Sequence, residues 1–136
     1  RLIDMGIQPF LVAATLRLVV AQRLVRRLCQ HCRQQTALSI SAAAALERPE
    51  AHDTTAWQSG GCIYCAGRGK AGRTALFEML PVGEAMSHLI SNGADEAPLH
   101  ARARNDGSRS LAEDALRKVE QGIVTAPDAQ GAVAAW

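Results

Sequence analysis

The sequence has few aromatic residues and little net charge. Only 4% of its 136 residues are aromatic, which disfavours a β-sandwich or an RNA-stacking surface, whereas abundant alanine favours closely packed helices. A net charge of +2 is too small to imply an electrostatic partner, although six arginines lie in the first 33 residues with Asp4 as the only acid. With 48% apolar residues, the chain can bury the core of about one globular domain.

The sequence also lacks an uninterrupted apolar run long enough to cross a membrane. Such a span needs roughly 20 apolar residues, whereas Arg17 splits the run that starts at Pro9, and Gln22 with Arg23 ends it. The chain begins at Arg1 without a methionine or a basic leader, which indicates a piece of a longer protein. It contains neither a G-x-x-x-x-G-K-[ST] phosphate loop nor an acidic strand-end motif for magnesium, so no residue is predicted to be catalytic.

The first half of the chain predicts helix with a connecting segment. Pro9 favours the first turn of a helix that continues to residue 28 and is buried on most sides. An alanine-rich stretch predicts a short helix that stops at Pro49, and residues 51–61 are predicted to form a loop.

The second half predicts one strand followed by short helices. The run GRTALFEMLPV alternates roughly in hydrophobicity and ends as a strand at Pro81. Capping patterns mark the last two helices, with Ser110 and Glu113 before one and Thr125 and Asp128 before the other. The predicted fold class is therefore α+β, mainly α, with a C-terminal helical cluster.

The four cysteines form two C-x-x-C pairs, Cys29 with Cys32 and Cys62 with Cys65. Each pair holds two thiolates on one side of a tight turn, and two pairs complete the tetrahedral four-sulfur shell that suits zinc. The spacer of 29 residues adds little loop-closure entropy, because that cost grows only logarithmically with length. The spacing therefore predicts a structural zinc site with all four cysteines as ligands.

Other interpretations of the cysteines remain open at this point. They could be buried thiols, two disulfides or a redox pair, although the usual strand-to-helix setting of a redox pair is missing. His31 lies inside the first pair and could replace a cysteine ligand. The pattern C-x-x-C-x-G-x-G, from Cys62 to Gly69, resembles one zinc repeat of the DnaJ-type co-chaperones. A zinc-stabilised chaperone-like module and a nucleic-acid-binding module are therefore the alternative functions.

Two long runs resemble the C-terminal region of the type II secretion and type IV pilus assembly ATPases. They are RLIDMGIQPFLVAATLRLVVAQRLVRRLCQHC, from residue 1, and GCIYCAGRGKAGRTALFEML, from residue 61. The resemblance is carried by the four cysteines and by Asp4, Met5, Gly6, Pro9, Phe10, residues 21–26, Gly69, Gly72, Arg73, Phe77 and Glu78. The run SRSLAEDALRKVEQG, at 108–122, is similar to the closing helix of the family.

The resemblance implies a RecA-like motor whose hexamer hydrolyses ATP, with magnesium, at the cytoplasmic face of the bacterial inner membrane and drives pseudopilus assembly. Residues 1–28 would form the C-terminal helix of the motor domain, 29–65 the tetracysteine zinc subdomain, and 66–136 a strand with a helical subdomain. The fragment itself is expected to be a structural and interaction region that is inactive alone. Its implied partners are the remaining motor domain, neighbouring subunits and inner-membrane platform proteins, with no nucleic acid and no small-molecule substrate.

The resemblance also singles out Arg73 and Glu78. Because they lie five apart on a predicted strand, their side chains should point to opposite faces, and each needs its own partner. Arg73 is a candidate for contacting bound nucleotide or the neighbouring core, where a guanidinium can fork onto phosphate or carboxylate. A structural salt bridge to the RecA-like core is the alternative. Lys70 and Ala75 depart from the family, which usually has an aromatic residue and a glycine there.

Overall fold

Helices and short strands are interspersed along the chain. The computed structural model describes residues 1–134. Its elements are α1 (Pro9–Thr15), β1 (Leu18–Leu28), β2 (Arg33–Ala37), α2 (Ile40–Ala45), β3 (Thr55–Ser59), β4 (Lys70–Pro81), α3 (Glu84–Ser91), α4 (Glu96–Asn105), α5 (Leu111–Glu120) and α6 (Ala126–Ala134), with 3-10 turns at Pro49–Ala51 and Ile63–Cys65. The predicted α+β class is confirmed. None of the helices in the described range has both the length and the apolarity that a membrane crossing requires.

The prediction of one helix from Pro9 to residue 28 is wrong. The helix α1 ends at Thr15, because the backbone of Leu16 is extended with ψ at 126°. The rest of the run forms β1, which pairs with β4. The run is apolar on most sides and includes the β-branched Val19 and Val20, so its pattern fits strand as well as helix. A pairing partner from much later in the sequence decides between them.

The predicted loop over residues 51–61 is wrong at its centre. Thr55–Ser59 forms β3, which pairs antiparallel with β2 in the register from Arg33 opposite Ser59 to Ala37 opposite Thr55. Of the five residues of β3, only Ala56 is fully buried. The segment therefore lacks the alternating pattern by which sequence reveals a strand.

Several predicted boundaries are confirmed. The strand β4 ends at Pro81. Ser110 and Glu113 form the capping box of α5, in which each side chain accepts a hydrogen bond from the backbone of the other residue. Thr125 directly precedes α6, and its hydroxyl donates to the carboxylate of Asp128, in the first turn of that helix, at 2.5 Å. Local capping chemistry thus determines where these helices begin.

The chain divides into two compact units. The first unit comprises Arg1–Ala21 and Glu78–Arg109, and the second comprises Gln22–Phe77 and the described residues from Ser110 onward. In the first unit α1 packs on α3, and α3 packs on α4. The predicted division into 1–28, 29–65 and 66–136 stays a prediction, and its last two residues lie outside the described range.

The second unit contains the main apolar core. Side chains from α2, α5, α6 and three of the strands, together with residues that connect these elements, meet there: Val25, Leu38, Ala42, Ala43, Leu46, Ala51, Ala56, Leu76, Leu111, Ala115, Leu116, Val119, Val124 and Ala129. Many of these residues are alanines, which allow the helices to approach closely.

Buried polar side chains of α5 bind the backbone of β4. Asp114, 5% exposed, accepts a hydrogen bond from the Phe77 amide at 3.0 Å, and Lys118, 9% exposed, donates to the Ala75 carbonyl at 2.6 Å. Asp114 also pairs with Lys118, and with Arg117 at 2.6 Å. Burial raises the pKa of Asp114, but hydrogen bonds from Arg117, Lys118 and the Phe77 amide outweigh burial and lower that pKa below its ordinary value. The helix therefore satisfies backbone groups that would otherwise be open to another strand.

Candidate metal centre

The four cysteines lie in two turns at the ends of strands. Cys29 directly follows β1, and Cys32 directly precedes β2. Cys62 precedes the 3-10 turn Ile63–Cys65, and Cys65 is its last residue; this turn comes shortly before β4. The fold thus brings together two C-x-x-C turns, residues 29–32 and 62–65, that are far apart in sequence. These two turns are the metal turns.

The four Sγ atoms form one tight cluster, with all of them within 4.8 Å of one another. The Sγ separation is 3.9 Å between Cys29 and Cys62, 3.8 Å between Cys32 and Cys65, and 3.7 Å between Cys62 and Cys65. Thiolates bound at about 2.3 Å from a tetrahedral metal ion stand about 3.8 Å apart. The predicted ligands therefore have the spacing of a closed four-sulfur metal site.

The structure separates this site from two of the alternatives. All four cysteines are free thiols, and their Sγ separations far exceed the roughly 2 Å of a disulfide bond. Among the described residues, His31 does not belong to the group of side chains that lie close enough together to bind a metal ion. Its ring instead stacks on Tyr64, with centroids 4.3 Å apart and planes inclined by 26°.

Backbone amides point at the sulfur atoms. The Gly61 amide donates to Cys32 Sγ at 3.1 Å, and the amides of Gly69 and Cys62 donate to Cys65 Sγ at 3.1 and 3.2 Å. Such hydrogen bonds orient thiolate ligands and stabilise their negative charge.

Two glycines next to the cysteine turns lie where a side chain would clash with neighbouring atoms. Gly69 has φ at +67°, and a Cβ placed on it would lie 2.4 Å from the Cβ of Ser59. A Cβ on Gly60 would lie 2.5 Å from the carbonyl oxygen of Cys32. Because no side chain fits at either position, both glycines are requirements of the metal turns.

The surroundings shift the pKa values of two of the thiols in opposite directions. Burial raises the pKa of Cys65, but the Cys62 and Gly69 amides and the neighbouring thiols outweigh burial and bring that pKa to about 6. The Gly61 amide lowers the pKa of Cys32, but burial and the other thiols together raise it to about 11. The amide hydrogen bonds thus favour the thiolate form of Cys65, which is the form that binds a metal ion.

Comparison with known proteins places the chain in a family. Residues 1–131 match the family described as Type II/IV secretion system protein. The chain belongs to this family. It is 42% identical over 126 residues to the protein transport protein HofB homolog of Escherichia coli, and 38% identical over 135 residues to the type IV pilus assembly ATPase PilB of Myxococcus xanthus. It is also 36% identical over 127 residues to the type II secretion system ATPase E of Vibrio cholerae.

These alignments cover nearly all of the chain but only part of each relative. The covered share of the chain is 92%, 96% and 92%, and the covered share of the relatives is 26%, 24% and 25%. The chain therefore spans about a quarter of the length of these secretion family relatives.

In this secretion system protein, side chains beside the metal turns also bind the end of α5. Arg33 Nη1 donates to the carbonyls of Gln121 at 2.9 Å and Gly122 at 3.0 Å, and Trp57 Nε1 donates to the Glu120 carbonyl at 3.1 Å. The Arg33 guanidinium lies 4.4 Å from the centroid of the Trp57 ring. These donors satisfy carbonyls that the C-terminus of a helix leaves unpaired.

Sequence reasoning missed this contact. Gly122 is recognisable in the sequence only as a helix stop, whereas a Cβ on it would lie 2.5 Å from Arg33 Nη1 and 2.8 Å from the Trp57 ring. Gln30, inside the first cysteine pair, also donates to the Gly122 carbonyl at 3.0 Å. Only the tertiary structure reveals the common partner of these three side chains.

The other candidate residues lie on β4 and outside the metal cluster. Arg73 is exposed, and Glu78 is half-buried. Their predicted contacts with nucleotide or with a motor core stay predictions. Lys70, which departs from the family pattern, forms an ion pair with Asp128 at 2.6 Å, so the charge at this position has a partner in this chain.

Proposed function

We propose that the chain is the C-terminal part of a cytoplasmic ATPase whose hexamer powers pseudopilus assembly in type II protein secretion. The observation that carries the proposal is the family match over residues 1–131, which includes both units and both cysteine pairs. Relatives named as secretion or pilus assembly ATPases cover almost the whole chain, while the chain covers about a quarter of them. This is the relation expected of one part of a longer motor.

In this proposal ATP and magnesium are bound by other parts of the parent protein. The chain has no phosphate loop sequence, and the groups that it offers are sulfur ligands and packing surfaces. Arg73 is assigned a contact with nucleotide or with the neighbouring core, because it is exposed on β4. Glu78 is assigned a separate contact with the core.

We assign the cysteine cluster to a structural zinc ion. Four sulfur donors at tetrahedral spacing suit zinc, and four protein ligands leave no position for a reacting water. When bound, the ion would supply positive charge and a cross-link between two distant turns. Cys29 and Cys32 would hold it from the end of β1, and Cys62 and Cys65 from the turn before β4.

The surface of the first unit supports a place within a larger assembly. Of the fourteen exposed large apolar side chains among the described residues, ten belong to this unit. They include Met5 at 71%, Phe10 at 58% and the consecutive residues Leu18, Val19 and Val20 of β1. Apolar surface of this extent usually marks an interface. We assign it to the remaining motor domain or a neighbouring subunit, and we place the assembly at the inner face of the inner membrane, against platform proteins.

A comparison of the purified chain with its full-length parent tests the proposal. We expect about one zinc ion per chain by elemental analysis and no ATP turnover above background for the chain alone. The parent should hydrolyse ATP and sediment as a hexamer. ATP turnover by the isolated chain, or salt-dependent binding of an oligonucleotide by it, would contradict the proposal.

Arg73 is tested in the parent protein. Replacement Arg73→Ala should lower ATP turnover, whereas Arg104→Ala, which removes another exposed arginine on α4, should not. Equal activity of the two variants would remove Arg73 from the nucleotide contact while leaving the family assignment unaffected.

A further inference from the structure

The metal turns carry an exposed apolar tip, formed by Ile63, Tyr64 and His31. Ile63 is 87% exposed and Tyr64 is 70% exposed, although they lie side by side between two cysteine ligands. The Tyr64 ring is held in place because His31, from the other turn, stacks against it. The tip thus presents two large exposed side chains on a turn whose backbone is tied by amide hydrogen bonds to the Cys65 sulfur.

The sequence stretches that contain the two turns carry cations and no acidic residue. Arg68 Nε donates to the Cys65 carbonyl at 3.2 Å, which fixes this exposed arginine beside the second turn. No aspartate or glutamate occurs in residues 5–46 or 54–77, the stretches that build both turns. Two other cations beside the turns have partners within the chain, since Arg33 binds carbonyls at the end of α5 and Lys70 pairs with Asp128. Arg68 has no carboxylate partner among the described residues, so its guanidinium can pair with a carboxylate of another protein.

We propose that the tip docks a segment of a partner protein in which a carboxylate neighbours a large apolar side chain. The apolar side chain would cover Ile63 and the free face of Tyr64, and the carboxylate would pair with the Arg68 guanidinium. Because the stack on His31 already orders Tyr64 and a hydrogen bond to the Cys65 carbonyl holds Arg68, binding would lose less conformational entropy. The inference goes beyond the role in secretion and depends only on the folded metal centre.

The same observations argue against two other classes of partner. Tyr64 has one free aromatic face and Ile63 has none, whereas a nucleic acid strand is bound by stacking successive bases on several aromatic side chains. A nucleic acid backbone or an anionic bilayer is recognised by clusters of cations, whereas Arg33 and Lys70 beside the turns are already bound to groups of this chain. A protein segment needs only one carboxylate beside an apolar contact.

Binding of labelled peptides to the zinc-loaded chain tests the proposal. The probe is a short fluorescent peptide that alternates leucine and glutamate, measured by anisotropy at two salt concentrations. We expect Ile63→Ser and Tyr64→Ser each to weaken its binding by about tenfold or more. Arg68→Gln should weaken binding by about threefold or more and reduce its salt dependence.

Matched variants separate the tip from general stickiness. Ile40→Ser changes another isoleucine that is 71% exposed, and Arg104→Gln changes another exposed arginine, so both should bind like the unaltered chain. Zinc content and thermal unfolding, measured for every variant, should be unchanged, because the altered side chains are exposed.

Four results would overturn the proposal. They are the absence of binding by the glutamate peptide, equal binding of a peptide with lysine in place of glutamate, unchanged affinity of Ile63→Ser, and tighter binding to oligothymidine or to phosphatidylglycerol vesicles. A loss of zinc in Ile63→Ser would direct the test to Arg68→Gln and Tyr64→Ser, for which the same outcomes apply.

Discussion

The two compact units of this molecule bury apolar surface to very different extents. Among the described residues, the second unit holds eighteen of the 22 buried apolar side chains, whereas the first holds four: Val12, Ala13, Val82 and Met86. Most of the exposed large apolar side chains lie in the first unit. The second unit therefore has a core of its own, and the first has the character of a piece whose apolar side chains need a cover.

The second unit adds polar contacts and a sulfur cluster to its core. The sulfur cluster, the hydrogen bonds of Asp114 and Lys118 to the backbone of β4, and the hydrogen bonds from Arg33 and Trp57 to carbonyls at the end of α5 all belong to it. Each joins segments that are distant in sequence. This small unit thus depends on specific cross-links. Each of them can be removed separately by mutation.

Loss of a metal ligand should have the largest effect on the second unit. We expect Cys65→Ser to lose zinc and to expose amides throughout this unit to hydrogen exchange. The reason is that the apparent free energy of structural zinc binding, about 10–16 kcal/mol, is comparable to the whole stability of a domain. Exchange in the first unit should change much less. Elemental analysis and hydrogen exchange with mass spectrometry measure both effects.

His31→Ala is the control for this prediction, since it changes a residue of the same turn that is not a ligand. It should retain zinc and the exchange protection of the second unit. Full zinc occupancy in Cys65→Ser would contradict the assignment of this cysteine as a ligand.

Removal of the buried carboxylate should have the next largest effect. Asp114→Asn leaves Lys118 buried without its anionic partner, so we expect a loss of about 3 kcal/mol of unfolding free energy at neutral pH. The folded pKa of Asp114 is lowered, so its stabilisation is complete above the ordinary carboxyl pKa of about 3.9 and is lost as pH falls through the folded pKa. Urea unfolding across this acidic range should show a shallower pH dependence in the variant.

Glu120→Gln is the matched control, because Glu120 is exposed on the same helix. It should change the unfolding free energy by less than about 0.5 kcal/mol. An unchanged pH dependence in Asp114→Asn would show that this carboxylate does not contribute to the stability of the second unit.

A smaller effect is expected where the metal turns bind α5. Trp57→Phe keeps an aromatic ring beside Arg33 but removes the donor to the Glu120 carbonyl, so the unfolding free energy should fall by about 1 kcal/mol. Amides of residues 121–124 should exchange faster, while zinc content stays unchanged. Gln58→Ala, on the next residue of β3, should leave that exchange unaltered. Unchanged exchange in Trp57→Phe would contradict a role for the indole in holding α5.

The smallest effect in the isolated chain should come from the first unit. Leu18 is 49% exposed, so Leu18→Ala should cost less than about 1 kcal/mol. If this surface is covered in the parent, the same change there should cost about 2–5 kcal/mol, as it does for a buried leucine. Urea unfolding of chain and parent measures the difference, with the fully buried Leu76→Ala as the reference for a core leucine. An equally small cost in both proteins would contradict the proposed cover.

Local chemistry explains what could be predicted from the sequence. The cysteine spacing identified all four members of the sulfur cluster, because a C-x-x-C turn brings two thiols together whatever the rest of the fold does. Ser110 with Glu113 located the start of α5, because a capping box satisfies amides within a single turn. In both cases the interacting groups lie within a few residues of each other or require only one closing loop.

Tertiary structure alone decided the rest. The run from Leu18 to Leu28 is a strand because it pairs with β4, and Thr55–Ser59 is a strand because it pairs with β2. The same is true of Arg33 and Trp57, whose shared role depends on carbonyls at the end of α5. Strand pairing and long-range hydrogen bonds join groups that the chain brings together only on folding, so their partners cannot be read from neighbouring residues. The sequence by itself thus determined the members of the sulfur cluster and the helix caps, and the fold determined which segments they connect.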